Sequence, residues 1–123
     1  MDDAADVEQI RTALNTFFEG LDSRDVVTIC RIWHPDARLF LNSTILNTRS
    51  LSFLLSLPDL VEFKIKEIKH IDVYQMIATA RVDYAMPIGI HAGFFNLVKA
   101  DGEWRIANWV DHGVAMPLSR YSA

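Results

Sequence analysis

Three side chains of this sequence have the chemistry to move protons near neutral pH: His34, Tyr84 and His112. Histidine titrates in that range, and a tyrosine hydroxyl can donate a hydrogen bond to a substrate carbonyl. His34 stands at the predicted end of a helix, where a cationic ring stabilises the helix dipole, so a structural role is its alternative. His91 and Asp111 fall near His112 in a predicted hairpin, and the three form a loose histidine–aspartate group. Of these residues, His34, Tyr84 and His112 are the sequence's candidates for acid–base catalysis.

The same residues predict neither a metal site nor a cofactor. The spacing of the histidines and acidic residues matches no metal-binding motif. The sequence also lacks a P-loop, a dinucleotide-binding fingerprint, a nucleophile elbow and a Cys-x-x-Cys pair. Cys30 is the only cysteine, so no internal disulfide can form. Its place in an apolar helical pattern predicts a buried, unreactive thiol.

The composition is typical of one soluble globular domain over residues 1–123. Half of the residues are hydrophobic, 23% are charged and the formal net charge is −4. The basic residues do not cluster, which argues against nucleic-acid binding. The N-terminal residues are acidic, and no apolar run approaches the roughly 18 residues that a membrane span needs. We therefore expect a cytoplasmic protein that binds neither nucleic acid nor membrane.

Apolar residues at helical spacing predict two N-terminal helices. The first is capped by Asp6 and carries Phe17 on its buried face, and the second is capped by Ser23 and stopped by Pro35. The predicted buried residues of the second helix are Val26, Val27, Ile29, Cys30 and Trp33. Phe17 and Trp33 are predicted to line a pocket, and a plain core role is the alternative.

The rest of the chain predicts a short strand pair, a brief third helix from Ser50 and then long strands. From Val61 onward apolar residues alternate with a period of two, and a slip in their phase predicts a bulge near Glu67. Tyr84 stands on the core-facing side of the following strand. Helices followed by antiparallel strands indicate an α+β fold.

The last two strands, residues 94–112, meet at a tight turn of residues 100–102 in which Gly102 takes a positive φ. In this register the face predicted to line the core holds Phe94, Asn96, Val98, Trp104, Ile106, Asn108, Val110 and His112. The predicted ligand contacts on it are Phe94, Asn96, Asn108 and His112. Buried amides must be hydrogen-bonded, so Asn96 and Asn108 either orient a ligand or bond each other or a buried water.

The opposite face of this hairpin is also apolar, and it holds Phe95, Leu97, Ala107 and Trp109. Such a face would be an unusual surface for a monomer. A twofold homodimer through this face, with Arg81 at its rim, is the simplest way to cover it. The alternative is that the face binds a different chain.

The segments WHPDARLF, ATARVDY and FFNLVKADGEWRIAN, together with the helix pair, resemble the nuclear-transport-factor-two-like superfamily. Within it they are most similar to the SnoaL-like and lumazine-binding-like branch, and the resemblance runs from about Val7 to His112. It implies a cone-shaped, curved and mostly antiparallel sheet wrapped around a helix hairpin and a short third helix. It also implies an internal pocket and dimers formed through the convex face of the sheet.

Ketosteroid isomerases share this fold, so the resemblance allows their catalytic positions to be compared with this sequence. Their tyrosine donor, aspartate base and second acidic donor fall at Phe17, Leu41 and Phe94. Apolar side chains cannot abstract a proton or stabilise an enolate, so that mechanism is not expected here.

We therefore expect a small homodimer whose apolar pocket binds a small cyclic or aromatic molecule without catalysis. SnoaL-like relatives include cyclases, so a lyase, isomerase or cyclase that uses His34, Tyr84 or His112 is the alternative. A protein-interaction module is a third interpretation. The first two are separated by whether a histidine or a carboxylate reaches the interior of the pocket.

Overall fold

The computed structural model describes residues 3–43, 64–86 and 89–115. Its two helices are α1 (Ala4–Ser23) and α2 (Val26–Ile32), and its five strands are β1 (Trp33–Ser43), β2 (Lys64–Tyr74), β3 (Ile77–Met86), β4 (Gly89–Ala100) and β5 (Glu103–Ala115). The strands form one sheet in the order β1-β5-β4-β3-β2, in which only the β1–β5 pair is parallel. The predicted α+β class is confirmed. The third helix predicted from Ser50 lies outside the described residues.

Helix α1 covers the inner face of the sheet with the apolar stripe that its sequence predicts. The buried members of this stripe are Ile10, Leu14, Phe17, Phe18 and Leu21. The helix begins earlier than predicted, with Asp3 rather than Asp6 as its N-cap. Of the helices that the structure describes, neither has the length and apolar character needed to cross a membrane.

Helix α2 buries fewer residues than its sequence predicts. Its cap is Asp25, whose carboxylate accepts hydrogen bonds from the amide and hydroxyl of Thr28, whereas Ser23 still belongs to α1. A helix of seven residues has one narrow buried side, which here holds Ile29 and Ile32. The prediction that Val26, Val27 and Cys30 are buried is therefore wrong, because all three are exposed.

The turn between β4 and β5 has two residues instead of the predicted three. Asp101 and Gly102 both have positive φ, 54° and 80°, which is the type I′ geometry that matches the twist of a hairpin. Lys99 consequently pairs with Trp104 rather than with Glu103. This one-residue change reverses which residues of β4 share a face with Trp104.

A second irregularity then reverses the phase of β5. Leu97 pairs with Ile106 and Asn96 with Asn108, so Ala107 is an extra residue in β5. One inserted residue exchanges the two faces of a strand from that point onward. The inward-facing residues of the hairpin therefore include Trp104 and Ile106 before the insertion, and Trp109, Asp111 and Gly113 after it.

The predicted faces of the hairpin are thus inverted over most of its length. Phe95, Leu97 and Trp109, which were expected at a dimer interface, are buried in the core of the single chain, Trp109 with 1% exposure. Phe94 and Val110, which were expected in the core, are 53% and 46% exposed. A dimer interface built on Phe95, Leu97 and Trp109 is therefore excluded.

Strand β3 has the faces that its alternation predicts. Ala78, Ala80, Val82 and Tyr84 are buried, and Arg81 lies outside, where its guanidinium pairs with Asp83 at 2.9 Å. Strand β2 departs from regular pairing between Lys64 and Glu67 and again between Ile68 and His70. The bulge predicted near Glu67 is confirmed.

The core between α1 and the sheet is an aromatic cluster. Trp109 stacks on Phe95 with ring centroids 5.1 Å apart. It also makes edge-to-face contacts with Phe17 and Phe18, whose ring centroids are 5.8 and 5.9 Å away. Trp33, at the start of β1, stacks on the other side of Phe17 at 5.7 Å. Edge-on and offset contacts of this kind add to the free energy that burial of the rings supplies.

A group of polar contacts joins the start of α1 to the β4–β5 hairpin. The Asp6 carboxylate accepts hydrogen bonds from Lys99 Nζ and Trp104 Nε1, each at 3.1 Å. These two donors, Lys99 first, lower the pKa of the Asp6 carboxyl. The folded protein therefore binds this proton less tightly than the unfolded chain does.

We predict that Asp6→Asn lowers the urea midpoint at neutral pH and reduces its acid dependence. Because the pKa of Asp6 is lowered on folding, its contribution is complete above the ordinary value of 3.8 and is lost as the pH falls through the lowered value. Urea unfolding followed by tryptophan fluorescence across the acid range measures both effects.

Asp3→Asn is the matched control, because the Asp3 side chain makes no capping hydrogen bond. Equal unfolding midpoints for Asp6→Asn and Asp3→Asn at all pH values would contradict the proposed contact.

Candidate functional site

Three polar side chains meet on the buried, α1-facing side of the sheet: Tyr84 of β3, His91 of β4 and Asp111 of β5. Tyr84 is directly opposite His91 in the register, and Asp111 is opposite Gly93, two residues from His91. Each side chain has an exposed fraction of 6% or less. The sheet register therefore brings one carboxylate, one imidazole and one phenol into a single buried group.

Hydrogen bonds join the three side chains through the carboxylate. The Tyr84 hydroxyl donates to Oδ1 of Asp111, and His91 Nδ1 lies 2.9 Å from Oδ2. An ionised carboxylate can only accept, so the hydrogen of this second bond belongs to Nδ1 of His91. The rings of Tyr84 and His91 are stacked, 5.5 Å apart and inclined by 6°. Asp111 thus fixes the position and the tautomer of the imidazole.

Two glycines of the same sheet make room for these rings. A Cβ at residue 113 would lie 2.2 Å from Cε1 of His91, and one at residue 93 would lie 2.7 Å from Nε1 of Trp109. Gly113 pairs directly with His91. Both glycines are therefore required by close contact with a ring, since any side chain would displace the imidazole or the indole.

Burial of Asp111 has an electrostatic effect on Tyr84. Desolvation, followed by the negative charge of Asp111 and the hydrogen bond to it, raises the pKa of the Tyr84 phenol well above 10.0. A hydrogen bond with Trp109 acts in the opposite direction. Tyr84 is therefore a neutral donor throughout the physiological range, and its donor function towards Asp111 does not switch with pH.

The arrangement leaves one imidazole nitrogen available for chemistry. Within the part of the chain that the structure describes, the hydrogen bonds of His91 all involve Nδ1. A histidine whose Nδ1–H is held by a buried carboxylate accepts protons at Nε2, and the carboxylate stabilises the imidazolium that results. The group formed by Tyr84, His91 and Asp111 can therefore act as a general base and then as a general acid.

The structure separates the other predicted catalytic residues from this group. Tyr84 is buried as predicted, but His112 is exposed on the outer face of β5. His34 is the second residue of β1 rather than the end of a helix, and its ring accepts a hydrogen bond at Nδ1 from the backbone N–H of Asp36, at 3.0 Å. His34 therefore has a local structural contact, and of the three candidates only Tyr84 joins the buried group.

The predicted ligand contacts divide in the same way. Asn96 and Asn108 lie on the outer face, where Nδ2 of Asn96 donates to Oδ1 of Asn108 at 3.0 Å. Phe94 is beside them on the outer face, 53% exposed, so it does not line the interior. Phe17 is fully buried and Trp33 is half-buried against it.

The sequence did not predict the burial of His91 and Asp111. A three-residue turn and an unbroken alternation place Asp111 on the outer face, whereas the structure has it inside. The Asp101–Gly102 pair was the signal for a two-residue turn. With that turn, His91 falls in phase with Phe95 on the inner side of β4.

A cavity of about 460 Å³ lies elsewhere, between α1, α2 and the β4–β5 turn. Its lining includes Glu8, Thr16, Arg31 and Glu103, and none of the three buried polar residues. Among the described residues no group of three histidine, cysteine or acidic side chains could hold a metal ion. We assign the functional site to the Tyr84–His91–Asp111 group because buried ionisable side chains in contact are typical of functional sites.

Comparison with known proteins agrees with this fold. The family model described as "Putative lumazine-binding" matches residues 5–110. No curated protein matches the sequence. An NTF-2 like protein of unknown function from Silicibacter pomeroyi is similar in structure, with a TM-score of 0.80, 16% identity and coverage of 92% of this chain and 99% of that one.

Two further solved structures extend the comparison. An NTF2-like protein of unknown function from Shewanella baltica has a TM-score of 0.75 and 22% identity, covering 95% of this chain and 98% of its own. A putative dehydratase from the NTF2-like family, from Streptomyces avermitilis, has a TM-score of 0.72 and 13% identity. The match covers 94% of this chain and 100% of that one. These identities show a shared fold, and the fold alone does not determine an activity.

We predict that Tyr84→Phe lowers the free energy of unfolding by about 1–3 kcal/mol, because it removes a donor from a buried carboxylate. The pKa of Tyr84 is raised on folding, so this contribution is complete below the ordinary tyrosine pKa of 10.0 and decreases as the pH rises through the raised value. Urea denaturation at neutral and alkaline pH measures it. Tyr74→Phe is the control, because Tyr74 is 73% exposed, and a comparable loss in that variant would contradict the assignment.

Proposed function

The chain belongs to the family described as "Putative lumazine-binding" within the NTF2-like superfamily, and we propose that it is an acid–base enzyme of the lyase or isomerase class. In this proposal Nε2 of His91 exchanges a proton with a carbon atom next to a carbonyl group of a small cyclic substrate. Asp111 orients the imidazole, and Tyr84 fixes Asp111. His91 is the catalytic residue, and the other two are positioning residues.

One observation carries the proposal: His91 is held by a buried carboxylate through Nδ1. A proton taken up at Nε2 creates an imidazolium next to Asp111, and attraction between the two charges stabilises it in a site with little water. The proton can then return to a different atom of the substrate, which gives isomerisation, or to a leaving hydroxyl, which gives dehydration.

The surroundings of the group favour a flat and largely apolar substrate. The ring centroids of Phe18 and Trp109 lie 5.4 and 6.2 Å from that of Tyr84, so aromatic rings border the phenol. The family description names a bicyclic heteroaromatic ligand, and one structural neighbour is described as a putative dehydratase. The first agrees with a cyclic substrate, and the second agrees with removal of a hydroxyl group by acid–base chemistry.

A purely binding function is the alternative, and the sequence favoured it because the positions that match the catalytic residues of ketosteroid isomerases are apolar. The buried group of His91 and Asp111 supplies acid–base side chains at other positions. A binding protein has no need for a charged carboxylate in a core, since its desolvation lowers stability unless donors compensate for it. The catalytic proposal accounts for the charge, whereas the binding proposal does not.

We predict that the wild-type protein catalyses exchange of deuterium into cyclic ketones and diketones in D₂O, at the carbon next to the carbonyl. His91→Gln should lower the exchange rate by about 100-fold or more, the contribution typical of a general base. Proton NMR of the substrate signal measures the rate for a panel of one- and two-ring carbonyl compounds.

His112→Gln is the matched control, because it makes the same change on the exposed outer face. Exchange should be unchanged in this variant. Equal rates for His91→Gln and the wild type, or no exchange above buffer for any compound in the panel, would argue against the catalytic proposal.

We also propose a homodimer, formed by the outer face of the sheet with residues other than those first expected. Phe40, Val110 and Phe94 are neighbours across β1, β5 and β4, and all three are exposed. The Arg81 guanidinium lies 5.9 Å from the centre of the Phe94 ring. An apolar row in the middle of a sheet, bordered by charge, suits a self-complementary contact between two copies.

Phe94→Glu is predicted to shift the protein from dimer to monomer, because the contact would place two carboxylates in an apolar centre. Light scattering coupled to size-exclusion chromatography gives the molar mass. Val27→Glu is the control, because Val27 is an exposed apolar residue of α2, away from the sheet. A monomeric wild-type protein would contradict the dimer proposal.

A further inference from the structure

We propose that the substrate carries a carboxylate group and that Lys66 of β2 binds it at the edge of the inner face. This inference rests on the proposed function, because it names the chemical class of the molecule on which His91 acts. Three observations support it: the position of Lys66, its contact with Phe18 and the charges around it.

The bulge in β2 brings Lys66 to the inner side. Lys64 pairs with Ala85 and Glu67 pairs with Asp83, so two residues of β2, 65 and 66, lie opposite Tyr84. An extra residue at this point changes the direction of the following side chain. Lys66 is half-buried, whereas Glu67 and Lys69, which follow it in β2, are exposed.

The ammonium group of Lys66 lies against the aromatic border of the site. Its Nζ is 5.3 Å from the centre of the Phe18 ring, which is within the range of a cation–π contact. Phe18 in turn lies 5.4 Å from Tyr84, and Tyr84 stacks on His91. Lys66 thus lies at the edge of the aromatic side chains that border the acid–base group.

Among the described residues, Lys66 lacks the ion pair that Lys69 and Lys99 each make. Lys69 pairs with Glu67 at 3.6 Å and Lys99 pairs with Asp6 at 3.1 Å. In the described ranges no carboxylate lies within ion-pair distance of Lys66, and its ammonium group contacts the ring of Phe18 instead. A cation that is partly removed from water above a ring gains free energy when an anion binds to it.

The two ends of the site then have complementary functions. Lys66 fixes the carboxylate of the substrate, and this orients the carbon atom that loses its proton towards Nε2 of His91. Binding energy at one end of a molecule can hold the other end in a reactive position. Because Asp111 is already hydrogen-bonded to Tyr84 and His91, its charge does not compete with the substrate for Lys66.

The test uses pairs of ligands that differ only in charge: benzoate with benzamide, and cyclohexanecarboxylate with cyclohexanecarboxamide. The wild-type protein should bind each carboxylate at least about tenfold more tightly than its amide, since hydrogen bonds to charged groups contribute this much. Lys66→Met should abolish the preference and leave amide binding unchanged. Lys66→Arg, which keeps the charge, should retain the preference. Affinities come from NMR titration of backbone amides of β3 and β4.

Lys69→Met is the matched control, because Lys69 is a half-exposed lysine of the same strand that pairs with Glu67. Equal binding of carboxylate and amide by the wild type, or no binding of either, would overturn the inference. So would a preference that persists in Lys66→Met. Deuterium exchange reports on His91 and ligand preference reports on Lys66. A carboxylate preference without exchange would therefore refute catalysis while supporting the carboxylate site.

Discussion

The extra residue at Ala107 determines what this protein buries. Before it, Ile106 faces α1, and after it Trp109 and Asp111 do, because one inserted residue exchanges the two faces of a strand. In an unbroken strand, His112 would turn inward and the indole would turn to solvent. Burial of a tryptophan against other rings is worth several times the burial of a small side chain, so the aromatic core stabilises the phase that the bulge creates.

The same phase forces a carboxylate into the core, and the neighbouring strands must then supply its donors. Tyr84 and His91 do so from β3 and β4, and Gly113 leaves the space that the imidazole occupies. None of these residues is close to Asp111 in sequence except Gly113. The site therefore depends on the sheet register. A slip of one residue in the β3–β4 or the β4–β5 pairing would separate the three side chains.

The parts of the fold that the sequence predicted correctly are those with an unbroken period and one apolar face. The stripe of α1 and the alternation of β3, which placed Tyr84 inside, are of this kind. In β4 and β5 both faces are apolar, and the adjacent pairs Phe94–Phe95 and Trp109–Val110 fit the core in either phase. Only the turn and the bulge distinguish these phases, and a single inserted residue such as Ala107 leaves no periodic signal. Asp111 was misplaced for this reason.

The first bulge of β2 and the extra residue of β5 each bring a charged side chain to the inner face, and the two charges have opposite signs. Lys66 enters at the β2 edge and Asp111 at β5, with Phe18 and Tyr84 between them. If these charges served stability alone, pairing them with each other would recover part of their desolvation free energy. Instead the carboxylate is bonded to a phenol and an imidazole, and the ammonium lies on an aromatic ring. Bulges are over-represented next to active sites, and the proposed function gives a role to each of these two charges.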